Sequence, residues 1–468
     1  MIDKYKDLYP EAVPVINTVY RQIKTKIPVP ESIDVIRRIR ELEPFSLSGQ
    51  MPIIWENATG SSVCDPYGNK WIDFTSGILV ANVGHRNPAV VEQIKRQLDK
   101  SLHTYLFPSM IKYQYLSQFS EILDDFYNKI YLLTTGSEAV ENAIKMACKY
   151  KKDKRPDSKH TYIISFVNSF HGRTYGAQLA GGVQTQKIWM PEISNSFIQI
   201  DYPDNIYGNT NFDNFLEQVK KICIADIACV LIEGYQGGNV LVPNSDYIKK
   251  LSEWCTGNDV LLVFDEIQSG FGRTGKMFSF EHFAIKPDII CCGKGITSSV
   301  PMSCILTSER IADLFDIGEM SNTHSGNPIS LAAGLGVLQY IQENNLIEES
   351  RRKGEILQSK LHKKILTNEY VKNITGMGMV AGIHIVSKNG IPDPLRAYKI
   401  VERCFKSGLL LCIPVGYKKA VIKVVPPLII EDDALVEGIE TLAEVIGSED
   451  ISFNYEKSEK SCENGTNL

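Results

Sequence analysis

The chain has 468 residues, 43% of them hydrophobic, which is enough for a large core and for two domains in one polypeptide. Lysine and arginine total 50 against 55 acids, a net charge of -5, which excludes a strongly basic nucleic-acid groove and a surface built for anionic lipid. Such a composition points to small-molecule chemistry.

The chain begins MIDKYKDLYPEAVPVINTVYRQIK, a mix of acids and bases with no apolar h-region. No later stretch approaches the roughly eighteen apolar residues of a membrane span, so neither export nor a membrane anchor is expected. Eleven cysteines lie scattered without a C-x-x-C pair, which fits reduced thiols in the cytoplasm and no metal site. Residues 1–75 hold an opening helical stretch and the segment SVCDPYGNKWIDF, whose Pro-Tyr-Gly-Asn reads as a hairpin turn. They are read as the N-terminal part of a small α+β domain.

From about residue 130, short apolar runs alternate with amphipathic stretches. KIYLLTT, TYIISFV, ACVLIE, VLLVFDE and DIICCG each read as a strand followed by a polar, glycine-bearing turn. The pattern predicts an α/β large domain over 76–345, its mostly parallel sheet lying between helices. Active sites in such sheets lie beyond the carboxyl ends of the strands, so TTGSE, NSFHG, EGYQGG, DEIQSG and GKG are expected to converge on one pocket. Cys291 and Cys292, neighbours on one strand, should face opposite sides of the sheet. Beyond residue 345, IEESRRKGEILQSKLHKKI reads as a helix and MVAGIHIV and AVIKVVPPLII as strands. Residues 346–450 are assigned to the C-terminal part of the small domain, and 451–468, polar and aperiodic, to a disordered tail.

The stretch LLVFDEIQSGFGRTGK carries the first chemical signal. A strand buried on both faces ends in Asp265, whose charge needs a partner. Gly270 to Gly275 spells G-x-G-x-x-G and Gly270 to Lys276 spells G-x-x-x-x-G-K, which raises dinucleotide or nucleoside-triphosphate binding. Both fit poorly, because five residues separate the strand from the glycines and Met277 offers no hydroxyl to magnesium. Lys294, between Gly293 and Gly295 at the end of another strand, is a candidate Schiff-base amine. One amine and one carboxylate, both at carboxyl ends of the sheet, match what pyridoxal phosphate requires: a partner for its aldehyde and an anion for its pyridinium nitrogen.

TTGSEAVENAIK, SFHGRTYGA, LVFDEIQSGFGRTGKMF, KPDIICCGKG and THSGNP stand in the order and spacing of class III pyridoxal-phosphate-dependent aminotransferases, and from Trp55 to Asp433 the chain resembles that family. It includes 4-aminobutyrate, ornithine and acetylornithine aminotransferases. The resemblance implies the fold type I architecture, pyridoxal 5'-phosphate as cofactor and a homodimer. It implies that Lys294 carries the cofactor and shuttles the proton, and that Asp265 holds the ring nitrogen. Gly136 and Ser137 would hold the phosphate at a helix N-terminus, Ser137 being readable equally as an ordinary N-cap. Phe170 would stack on one ring face with His171 beside it, Ile267 would pack on the other face, and Gln268 would reach the ring hydroxyl. Glu233 would support the site from behind, and Thr323 would reach the neighbouring subunit's phosphate. Glu266 and FGRTG look structural, with Arg273 expected to pair with a carboxylate.

Two positions depart from the family pattern. Where glutamate-using members carry E-P-x-Q-G-E-G-G, this chain reads EGYQGGNV, with Gly238 in place of the gating glutamate. Where they carry an arginine ahead of P-P-L, it reads AVIKVVPPLII, with Lys423. Gly238 and Lys423 are therefore the candidate substrate-binding positions, and lysine lacks the bidentate fork that grips a carboxylate. The leading expectation is ping-pong transamination from a primary, terminal amine to a carbonyl acceptor. A same-fold racemase, epimerase or phospho-lyase and a nucleotide-binding protein are the alternatives.

Overall fold

Alternation of side chains, period two along each apolar run, decides how the centre of the molecule is built. The computed structural model describes residues 7–190, 195–207 and 210–448, so the tail assigned to 451–468 lies outside the described residues. All five predicted runs are strands: β1 Lys129–Leu133, β2 Tyr162–Phe166, β4 Ile227–Glu233, β5 Leu261–Asp265 and β6 Ile289–Cys292. Two further strands, β3 Phe197–Ile200 and β7 Ser303–Thr307, complete a seven-stranded sheet of order β1-β7-β6-β5-β4-β2-β3. β7 runs antiparallel to both of its neighbours, and the other pairings are parallel.

Every residue of β4 and β5 is buried, as expected for a sheet covered on both faces. Leu261 and Val263 join one apolar cluster while Leu262 and Phe264 join another. Cys291 and Cys292 divide between the same two clusters, so their opposed placement holds. Helix α1, Gly136–Lys154, covers one face with Ala139, Val140, Ala143, Met146, Ala147 and Tyr150, spaced three and four apart.

The chain ends meet beside this sheet. Leu409–Leu410 pairs in parallel with Lys70–Asp73, so one sheet holds strands from both ends. The predicted hairpin pairs Cys64 with Lys70 and Val63 with Trp71, and Asp65 Oδ1 accepts from the N–H groups of Tyr67 and Asn69, each at 2.9 Å. The predicted helix near residue 350 is Leu346–Ile365, and Val371–Met377, Val380–Ile385 and Val421–Val424 form an antiparallel sheet.

Arg273 does not pair with a carboxylate, contrary to the sequence reading. Its buried guanidinium donates to the carbonyls of Met379 (2.9 Å) and Pro426 (2.6 Å), to Asn82 Oδ1 (2.8 Å) and to Ser76 Oγ (3.2 Å). Segments far apart in sequence converge on one cation, and neutral oxygens accept from its two terminal nitrogens, while the buried Nε has no partner among the described residues. Burial, with no anion in contact, pushes its pKa down to about 10. Arg273→Met is expected to strand several buried acceptors and destabilise the protein by about 3 kcal/mol or more. A thermal unfolding midpoint within a degree of wild type would show that these bonds contribute little.

Candidate active site

β4 and β5 run in register with Glu233 opposite Asp265, so two buried carboxylates leave adjacent strand ends at one level. Each needs donors in that environment. Asp265 Oδ2 lies 2.8 Å from His171 Nδ1, and its Oδ1 accepts from the Ile267 N–H at 3.1 Å. Glu233 accepts from the N–H groups of Phe170 (3.1 Å) and Gly237 (2.8 Å). Burial pushes the Glu233 carboxyl up to about 7, opposed by His171 and reinforced by Asp265. The loop bearing Phe170 and His171 is thus tied at consecutive residues to consecutive strands.

Lys294 follows β6 with a left-handed backbone, φ 46°, strained for a residue with a side chain. Its flanking glycines answer close approaches. A Cβ on Gly295 would lie 2.4 Å from Asn82 Nδ2, and one on Gly293 would press to 3.3 Å from Ile267 Cγ2. Burial lowers the Lys294 pKa while the charge of Asp265 opposes that shift, which favours the free amine that attacks carbonyls.

A cavity of about 230 Å³ opens here. TTGSE lines it with Thr135, Gly136 and Ser137, NSFHG with Phe170, His171 and Gly172, DEIQSG with Asp265, Ile267 and Gln268, and GKG with Lys294. EGYQGG does not line it and acts instead through Glu233. The cap of α1 is Thr135 rather than a serine: its Oγ1 accepts from the Glu138 N–H, and the Glu138 carboxylate accepts from the Thr135 N–H, both at 3.3 Å. That T-x-x-E box was present in the sequence and settles the alternative left open for Ser137. Ser137 Oγ instead accepts from the Arg173 N–H at 3.1 Å. The N–H groups of Gly136 and Ser137 precede the first intrahelical donor, the Ala139 N–H bonded to the Thr135 carbonyl, so the positive end of α1 meets the cavity. Gly172, at φ 133°, lets the loop close on the helix, since a Cβ there would lie 2.4 Å from Ser137 Oγ. Lysine amine, carboxylate, flanking aromatic and anion-binding helix end fit pyridoxal phosphate.

Lys423 reaches Gly237, the residue before Gly238, across 186 positions of the chain. Lys423 Nζ donates to the carbonyl of Gly237 and to Gln268 Oε1, each at 2.8 Å. Gly238 faces Gly416, whose Cα would lie 3.6 Å from a Cβ added at 238. Thr323 is exposed and does not line its own chain's cavity. Glu266 is structural, as expected, accepting from Ser269 Oγ, Ser279 Oγ and the Phe280 N–H at 2.6 to 2.9 Å.

The nucleotide readings of Gly270 to Lys276 are overturned. A Cβ on Gly272 would touch Ile347 and Leu428 at 3.0 Å, and one on Gly275 would touch Arg351 at 3.1 Å. The turn is packed against the helix that begins at Leu346 and leads only to the short 3-10 turn Ser279–Phe283. Sequence reasoning missed two contacts that no local pattern announces. The Arg173 guanidinium lies 4.9 Å from the centre of the Phe170 ring, and Tyr235 Oη donates to the Gln268 carbonyl at 2.9 Å.

Residues 46–446 match the family described as aminotransferase class-III. The acetylornithine aminotransferase of Haemophilus ducreyi is 35% identical over 393 residues, covering 83% of this chain and 92% of that protein. The 4-aminobutyrate aminotransferase of Mycobacterium leprae is 28% identical, covering 91% and 98%. The crystal structure of a Bacillus anthracis aminotransferase superposes with a TM-score of 0.79 at 26% identity, covering 89% and 99%. Borohydride reduction of the holoenzyme is expected to fix the cofactor on Lys294, and Lys294→Ala to abolish that adduct. Asp265→Ala is expected to retain cofactor and lower turnover about a hundredfold or more. An adduct at another lysine, or full turnover without Asp265, would refute the assignments.

Proposed function

The chain belongs to the class III aminotransferases, and on that premise we propose that it deaminates a terminal primary amine without a gated clamp for a substrate carboxylate. It is a pyridoxal-phosphate-dependent enzyme whose reaction is transamination to a carbonyl acceptor. When bound, the cofactor supplies the aldehyde that captures the amine and the ring that takes up the electrons released at carbon.

The protein's own groups do the rest. Lys294 Nζ holds the cofactor and then carries the proton from the amine-bearing carbon, as base and afterwards as acid. Asp265 would face the ring nitrogen of the bound cofactor and favour its protonated form, with His171 orienting the carboxylate. Gly136, Ser137 and the dipole of α1 would hold the phosphate. Phe170 and Ile267 would confine the ring, and Gln268 would reach its hydroxyl.

The single observation that carries the specificity reading is the engagement of Lys423 with Gly237 and Gln268. Both of its hydrogen bonds go to protein oxygens, and position 238 supplies no glutamate to hold or release it. A lysine so occupied is a poor ligand for a carboxylate of 2-oxoglutarate. Diamines, ω-amino acids and specialised-metabolite aldehydes fit better.

We also propose a homodimer with Thr323 contributed across the interface to the partner's phosphate. Thr323 is exposed, and Leu98, Leu102, Phe107, Met110 and Tyr113 leave an apolar segment open to solvent. A cytoplasmic location is supported by the described cysteines, all of which are free thiols.

Wild-type enzyme is expected to use 2-oxoglutarate poorly and to accept donors without a carboxylate at least as well as 4-aminobutyrate. Lys423→Arg with Gly238→Glu should raise kcat/KM for 2-oxoglutarate roughly tenfold to a hundredfold. The reading fails if wild type already prefers 2-oxoglutarate and loses it in Lys423→Ala. Turnover with no acceptor present would instead indicate a racemase, epimerase or phospho-lyase. Sedimentation should give a dimer at assay concentration, and an active monomer there would remove the role given to Thr323.

A further inference from the structure

Gln268 is held at two points. Its backbone carbonyl accepts from Tyr235 Oη, and its side-chain carbonyl accepts from Lys423 Nζ. An amide side chain has one accepting and one donating end, and an ammonium only donates. The lysine therefore fixes which end is which: Oε1 must face Lys423, leaving the NH2 group of Gln268, a residue lining the cavity, to donate elsewhere. The constraint is strict for the ammonium form, and a neutral amine still has two N–H bonds for these two acceptors. Gly237 completes the brace. A Cβ on it would lie 2.2 Å from Gln268 Nε2 and 2.7 Å from Glu233 Oε1, while its carbonyl receives the lysine's other bond and its N–H satisfies Glu233.

We propose that Lys423 is a positioning residue, locking the Gln268 amide with its NH2 turned to the ring hydroxyl oxygen of pyridoxal phosphate. The hydrogen bond so given stabilises the ionised ring oxygen, and Lys423 acts on the cofactor through Gln268 without touching substrate. This deepens the reading that no carboxylate clamp operates here.

The test contains no substrate, so it stands apart from the identity of amine and acceptor. Pyridoxal phosphate is titrated into the cofactor-depleted dimer, and the visible absorption of the loaded protein is recorded against pH. Lys423→Met is expected to bind the cofactor roughly tenfold more weakly. It should also move absorption from the visible band of the ionised ring oxygen to the near-ultraviolet band of the neutral hydroxyl. Gln268→Leu should do the same, and the double variant should be no worse than Gln268→Leu alone, because one interaction is being removed twice. Lys423→Arg, which keeps the donors, should retain the visible band. If Lys423→Met does not accumulate, Gln268→Leu and Lys423→Arg still give the comparison. The brace is overturned if Lys423→Met keeps wild-type affinity and spectrum, or if its effect adds in full to that of Gln268→Leu. Should wild type favour 2-oxoglutarate while these spectral outcomes hold, the specificity reading fails and the brace stands.

Discussion

The buried ends of β4 and β5 set the problem that the rest of the site solves. Parallel pairing in register puts the carboxyl groups of Glu233 and Asp265 side by side at the edge of a covered sheet, where two bare negative charges would repel and each would lack water. One loop resolves both. Phe170 gives its N–H to Glu233, and His171 places Nδ1 against Asp265. The aromatic ring is thereby positioned beside the reactive lysine as a by-product of satisfying two acids. Burial, with Asp265 alongside, pushes the Glu233 carboxyl up in pKa, and the two backbone N–H donors oppose that shift.

Space is allotted with the same economy. Three segments meet within van der Waals distance around Ile267, and two of them meet it as glycine. A Cβ on Gly136 would come within 3.0 Å of Ile267 and one on Gly293 within 3.3 Å. Ile267 therefore sits between the N-terminal end of α1 and the lysine turn. Enlarging either glycine would push the isoleucine toward the cavity it lines.

What could be read from the sequence follows from range. The five apolar runs ended where the loops of the site begin, so Lys294, Asp265 and the helix end at Gly136 were legible from local pattern and motif order. β3 and β7 were not, because FIQI and SCILT are short and carry no glycine-rich turn to announce them; antiparallel insertion of β7 also breaks the simple alternation of strand and helix. Arg273 was misread because an arginine near acids suggests an ion pair, whereas its partners are the backbone carbonyls of Met379 and Pro426, more than a hundred residues away. The engagement of Lys423 with Gln268 spans 155 positions, and nothing local to either residue records it.

The two departures at 238 and 423 account for one another. Arginine cannot discharge inside a protein, so a guanidinium buried at position 423 would stay charged, and Gly238 removes the carboxylate with which the family pattern pairs it. Lysine can discharge. Burial, with Lys294 adding its repulsion, pushes Lys423 down to about 7, so near neutrality much of it is an uncharged amine that still donates two hydrogen bonds. The same chemistry disfavours arginine here for a second reason. A permanent cation at position 423 would keep its repulsion of Lys294 in place at every pH. A lysine that can lose its charge lets Gln268 be braced without adding an unbalanced charge beside the catalytic lysine.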